Sequence, residues 1–144
     1  MDIILFGCGV SGYEALCFLG EENVKCFCDN NPDVVQSKKF GKPVLSFMEM
    51  KSWRKSVIIL CVKNRKDIYD MARQCEENGI YDYVAYELCK DSFSGGEEFL
   101  NYVNDPENRN SMRKKMWFAR IKTLEMQVSY LQQQADIRSL KPAT

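Results

Sequence analysis

Apolar residues fall first in short unbroken runs and later at helical spacing. "IILF" (Ile3–Phe6) stops at Gly7, and Val24–Cys28 stops at the turn-forming "DNNPD". "SVIILCV" (Ser56–Val62) is the clearest run, and "YDYVAY" (81–86) follows it. Continuous short runs predict strands covered on both faces, and therefore a parallel sheet. Helical patterns lie between them. One covers Ser11–Leu19, with Gly20 suited to its end. Another places Ile68, Met71, Ala72 and Cys75 at i, i+3, i+4 and i+7, with Asn64 as its cap and Gly79 as its stop. Residues 29–43 read as a long connection, "PVLS" as a short edge strand, and Ser46 with Glu49 as a capping box opening a short helix. Strands alternating with helices predict an α/β layered fold with right-handed crossovers.

Past Glu87 the pattern changes. "KDSFSGGEEFLNYVNDPENRN" carries Gly-Gly and Asp-Pro and reads as a loop around a short helix. Residues 108–135 contain no Gly or Pro and predict one long helix. On it Trp117, Ile121, Leu124, Val128, Leu131 and Ala135 form a heptad-like seam. Met112, Met116, Ala119, Met126 and Tyr130 form a second stripe almost opposite. A helix apolar on two sides needs two neighbours. This helix is therefore expected to form a homodimer or to dock a catalytic domain.

The first glycines carry the candidate chemistry. Gly7, Gly9 and Gly12 make G-x-G-x-x-G between the first strand and the first helix. In that context Gly7 permits the turn, Gly9 lets a diphosphate approach the backbone, and Gly12 allows close helix–sheet packing. The helix start around Val10 and Ser11 offers free N–H groups and the positive end of a dipole. The Ser11 hydroxyl adds a further donor. Asp29 ends the second strand, 17 residues after Gly12. An acid there accepts hydrogen bonds from an adenosine ribose and favours NAD over NADP. Asp29 equally suits the start of the turn. Asn30 joins the candidate set beside it. Lys63, Asn64 and Arg65 follow the third buried strand, at the edge where such sheets bind ligands, and read either as phosphate or sugar contacts or as a polar turn. These features predict a Rossmann-like parallel sheet with helices on both faces plus a long C-terminal helix. The expected organisation is a nucleotide-binding domain over 1–90, a connecting segment over 91–107, and a long amphipathic helix with a linker over 108–144.

Composition narrows the classes. The formal net charge is zero, so no global field points to nucleic acid. Six basic residues without an acid lie between Asn108 and Leu124: Arg109, Arg113, Lys114, Lys115, Arg120 and Lys122. They scatter around the helix between its apolar stripes, which suits a solvated flank better than a membrane surface. No apolar run is long enough to span a bilayer and no signal-type start is present, so a cytoplasmic chain is expected. The seven cysteines sit mostly in apolar segments and read as reduced core thiols. With no histidine in the chain, Ser-His-Asp, Cys-His and His-metal arrangements are excluded within it.

"IILFGCGVSGYEA", "VKCFCDNNPD…FGKPVLS" and "SVIILCV" together are similar to small Rossmann-like domains of bacterial surface-polysaccharide proteins. The tail "ADIRSLKPAT" (135–144) resembles the segment leading into a LicD-type transferase domain. The resemblance covers roughly residues 1–90. It implies an N-terminal accessory domain whose catalytic partner domain, with its metal-binding acids, is not in this sequence. What it transfers is the nucleotide site: Gly7, Gly9, Gly12 and Asp29, for NAD or a nucleotide-sugar. Two other readings stand beside it. One is a non-binding dimerisation scaffold. The other is an NAD-dependent sugar oxidoreductase, for which Tyr81, Tyr83, Tyr86 and Lys63 are proton-transfer candidates by type. Tyr86 and Lys90 have Tyr-x-x-x-Lys spacing, but they are expected just past a strand, not on one helix face.

Overall fold

The computed structural model describes residues 1–53 and 55–140. The elements in chain order are β1 (Asp2–Phe6), α1 (Val10–Leu19), β2 (Cys26–Cys28), β3 (Lys38–Lys39), β4 (Lys42–Leu45), α2 (Phe47–Lys51), β5 (Ser56–Leu60), α3 (Arg65–Glu77), β6 (Tyr83–Ala85), α4 (Tyr86–Cys89), α5 (Gly96–Val103) and α6 (Pro106–Ser139). Among the described residues, six strands form one sheet in the order β3-β4-β2-β1-β5-β6. All pairings are parallel except that of β3 with β4. This is the expected α/β fold with its long C-terminal helix. The chain leaves β1 toward β2 on one side and later fills β5 and β6 on the other. With crossovers of one hand, α1 and α3 then cover opposite faces, and the crevice opens at the carboxyl ends of β1 and β5.

The strands are apolar without alternation because both faces are covered. Ile4, Leu5, Phe27, Ile58, Ile59 and Leu60 are all buried. Ile4 sits in register between Cys26 of β2 and Ile58 of β5.

Three local readings change. "PVLS" is not the edge strand, because β3 pairs outside β4 through a two-residue turn. Phe40 and Gly41 both take positive φ there, at 52° and 80°, as a tight hairpin requires. Phe40 tolerates this because its ring packs on Tyr13 and Phe27, with centroids 4.7 and 5.9 Å away. The strand expected over "YDYVAY" shortens to Tyr83–Ala85, and Tyr86 opens a helical turn. The Asp-Pro pair is not a loop signal but a helix start: the Asp105 carboxylate accepts from the Glu107 N–H at 2.9 Å, and Pro106 is the first helical residue.

Residues 91–110 also belong to the compact body, which extends over Met1–Asn110. In α5, Phe99 and Val103 are fully buried. The ring of Phe99 meets Phe18, Tyr86 and Phe93 at 5.1–6.0 Å. A Cβ on Gly96 would lie 1.9 Å from the Phe18 carbonyl oxygen, so this glycine sets how closely α5 approaches α1. Arg109 departs from the solvated role expected of the six basic residues, being only 2% exposed. Its guanidinium donates to the Val103 carbonyl at 2.7 Å and to the Asp82 carboxylate at 3.1 and 3.2 Å. The end of α5 leaves carbonyls unpaired, and a cation nearby both bonds them and offsets the helix dipole.

The second unit begins at Ser111 and, among the described residues, holds the remainder of α6, to Ser139. Of "ADIRSLKPAT", residues 141–144 lie outside the described residues. Among the described residues, no helix is long and apolar enough to cross a membrane.

Candidate functional site

β1 ends at Phe6, and the Gly7 N–H still pairs with the Cys28 carbonyl at 2.8 Å. The chain then turns between the ends of β2 and β5. Gly7 holds φ at 112°, and a Cβ on it would sit 2.3 Å from the Cys61 carbonyl oxygen. A Cβ on Gly12 would sit 2.2 Å from the Gly7 carbonyl oxygen and 3.1 Å from the ring of Phe27. Both glycines are required by the protein's own packing. Gly9 differs: nothing lies within 4 Å of the place its Cβ would take.

Gly9 is the cap residue of α1 and provides no side chain to bond the helix start. Val10, Ser11 and Gly12 are the first three residues, whose N–H groups have no preceding helical turn to donate to. No acid stands in that first turn. The result is a set of backbone donors at a dipole's positive end, exposed at Val10 and buried at Ser11 and Gly12.

Asp29 lies beside it. Its Oδ2 accepts from the Cys8 N–H at 3.1 Å and from the Cys8 thiol at 3.2 Å. Its Oδ1 accepts from the Asn31 N–H at 2.8 Å. Asp29 thus starts the "DNNPD" turn and also ties the end of β2 to the glycine loop. A carboxylate offers about four lone-pair positions, so acceptor capacity remains for a ligand. Burial first, then the bond to Asp29, pushes the Cys8 thiol up to about 11, so it is un-ionised at neutral pH. Asn30 makes a reciprocal amide pair with Gln74 of α3, at 2.8 and 3.0 Å. Asp29 and Asn30, with Val35, Phe47, Met48 and Gln74, line an open cleft of about 630 Å³.

Ser11 and Lys63 face other partners. The Ser11 hydroxyl, which is buried, donates to Glu87 Oε1 at 2.9 Å. Lys63 Nζ reaches Glu14 at 3.1 Å and Glu87 at 3.3 Å. Lys90 Nζ is 2.7 Å from the other Glu87 oxygen. Burial alone would raise the Glu87 carboxyl, but the hydrogen bonds from Lys90, Ser11 and Lys63 outweigh it and hold it below its ordinary value. Hydrogen bonds to Glu14 and Glu87 raise Lys63 in turn. Lys63 therefore meets carboxylates of its own chain and is not an unpaired cation at the crevice edge. Asn64 caps α3 by accepting from the Lys66 N–H at 2.8 Å.

The arrangement brings Gly7, Gly9, Val10, Ser11, Gly12 and Asp29 together at the carboxyl ends of β1 and β2. It places Lys63 in an adjacent ionic cluster and Asn30 on the side of the 630 Å³ cleft. Glu87 and Cys8 were not singled out from the sequence. Glu87 stands just past β6 as Lys63 stands past β5, and that strand-end position was the available signal. Tyr86 and Lys90 do share a helical turn, with Lys90 Nζ 5.7 Å from the ring centroid. Yet burial, with Glu14 and Glu87 adding to it, pushes the Tyr86 phenol up to about 12. That is the opposite of activating it for proton transfer at neutral pH.

Among the described residues, no group of three Cys, Asp or Glu is placed to hold a metal ion. No protein-family model matches this chain, and no curated protein matches it by sequence.

Proposed function

We propose that the chain binds a nucleotide or nucleotide-sugar of NAD-like type. The diphosphate lies against the N–H groups of Val10, Ser11 and Gly12, and the ribose meets Asp29. The observation that carries this reading is the contrast between the glycines. Gly7 and Gly12 are demanded by the fold, while Gly9 leaves open space at the exposed start of α1, beside Val10. Asp29 adds a negative charge where a 2′-phosphate would otherwise sit, which favours an unphosphorylated ribose. The 630 Å³ cleft that begins at Asp29 has room for the base.

In this reading the chain is the accessory domain of a cytoplasmic LicD-type glycan-modifying phosphotransferase and is not catalytic alone. The raised, buried Tyr86 phenol supports binding over an NAD-dependent sugar oxidoreductase.

Thermal and chemical melts of the full chain with NAD, a UDP-sugar and CDP-choline test the proposal. A ligand at a hundred times its dissociation constant stabilises the native state by about 2.7 kcal/mol. A rise with one of the three is expected. Unchanged melts with all three at millimolar excess would overturn it.

A further inference from the structure

From Ile121 onward α6 carries a row of exposed aliphatic side chains. Ile121, Leu124, Val128 and Leu131 are between 42% and 66% exposed. They succeed one another at steps of three and four, which aligns them on one side of a helix that supercoils to the left. Four neighbouring large aliphatics in one seam are a face to be covered and not scattered surface residues.

The order of residue types says what covers it. Written as a heptad, Ile121 and Val128 occupy the a positions, and Leu124 and Leu131 the d positions. β-branched residues at a with leucine at d favour two parallel strands over three or four. The flanking charges agree. Arg120 falls at g and Glu125 at the following e. In a parallel, in-register pair, g of one helix faces the next e of its partner, so Arg120 meets Glu125 of the other copy, twice per dimer. An antiparallel pair faces g with g and e with e, and loses both attractions. The stripe on the other side of α6 is a poorer seam. There Met126 and Tyr130 are separated from Ile137 by Gln133, and Thr123 precedes them.

The geometry points to a second copy of this chain as the occupant, paired through a parallel, in-register two-stranded coiled coil over residues 121–135. This goes beyond nucleotide binding and stands on a different unit of the chain.

Light scattering and sedimentation equilibrium of the full chain at micromolar concentration test it. Twice the chain mass is expected. Leu124→Glu and Leu131→Glu are each expected to give monomers. Both positions are exposed in a single chain, so far-ultraviolet circular dichroism and the melt of the α/β body are expected to hold. Arg120→Glu alone and Glu125→Arg alone each turn two attractions into repulsions and raise the dimer dissociation constant about tenfold. An equimolar mixture of those two variants restores opposite charge at both contacts and is expected to recover wild-type affinity. A monomeric wild type, a trimer or tetramer, or a dimer unaffected by both leucine substitutions overturns the proposal. So does a mixture no tighter than its components, which excludes the parallel register. Nucleotide melts are indifferent to all of these results, so the two proposals fail separately.

Discussion

The Asp29 carboxylate receives the Cys8 N–H at 3.1 Å, across 21 positions of sequence, and so fastens the end of β2 to the glycine loop. One acid therefore carries two duties: it shapes the loop and, in the proposed reading, holds the ribose. Asp29→Asn separates them. The amide keeps one oxygen acceptor and loses the charge. Stability is expected to fall by about 1.5–3 kcal/mol, the range for hydrogen bonds to a charged group. Urea denaturation reads this directly. Calorimetric titration of whichever nucleotide stabilises the wild type is expected to show at least a tenfold loss of affinity. Intact affinity in the folded variant would leave Asp29 with the loop alone.

The three glycines give a sharper test, because packing and binding predict different orders of damage. Gly7→Ala and Gly12→Ala force a Cβ to 2.3 and 2.2 Å from carbonyl oxygens that belong to the sheet edge and the loop. Gly7 also holds a φ of 112°, which alanine rarely adopts. Each is expected to cost about 2–4 kcal/mol or to prevent folding. Gly9→Ala meets nothing within 4 Å and is expected to change stability by less than about 1 kcal/mol. Its methyl group occupies the space a diphosphate would use, so ligand-induced stabilisation is expected to vanish. A Gly9→Ala protein that still gains stability with nucleotide would place the phosphates elsewhere.

Much of the architecture was legible because buried parallel strands are continuous apolar runs, and four such runs stand between helical patterns. The glycine loop was legible for the same local reason. What stayed hidden depended on tertiary contact. Gly96 looks like loop material until α1 is beside it, when its missing Cβ becomes the reason α5 can dock. Arg109 shares composition with five other basic residues, and only the end of α5 and Asp82 single it out. The Phe40–Gly41 hairpin was concealed because phenylalanine is a poor choice for positive φ, and its ring contacts with Tyr13 and Phe27 compensate. Lys63 was placed correctly at the sheet edge. Its partners were not visible, because Glu14 and Glu87 lie 49 and 24 positions away.

That ionic cluster makes stability depend on acid. The Glu87 carboxyl is held below its ordinary 4.5 in the folded chain and returns to that value on unfolding. The unfolded state then binds more protons over this range, so stability rises with pH through it. The contribution is complete above about pH 4.5 and is lost as pH falls through the folded value. Glu87→Gln is expected to lower stability at pH 7 and to flatten the acid limb of the stability curve. Denaturant melts between pH 3 and 7 check both. At the other extreme, the raised Lys63 and Lys90 ammonium groups keep their contribution below their ordinary 10.5 and lose it as pH rises past their folded values. An acid limb identical in Glu87→Gln and wild type would place that dependence on other carboxylates.

Arg109 and Asp82 are unequal partners, and that asymmetry is measurable. The arginine side chain is 3% exposed while the aspartate is 55% exposed. Removing the arginine leaves a carboxylate that water can solvate, together with a cavity and an orphaned Val103 carbonyl. Removing the aspartate leaves a guanidinium inside with its bond to that carbonyl but without its counter-charge. Arg109→Met fills much of the space without a charge, and replacing buried ions by apolar groups of similar volume is often close to neutral. It is therefore expected to cost about 1–2 kcal/mol, chiefly for the unpaired carbonyl. Arg109→Ala adds lost packing and is expected to cost about 3 kcal/mol. Asp82→Ala is expected to fall between them, and the double variant Arg109→Met/Asp82→Ala to cost less than the sum of its singles. A double-mutant cycle by urea denaturation checks this. Strict additivity would mean that Arg109 holds α5 through the Val103 carbonyl and its own packing alone, with Asp82 solvated as an ordinary surface acid.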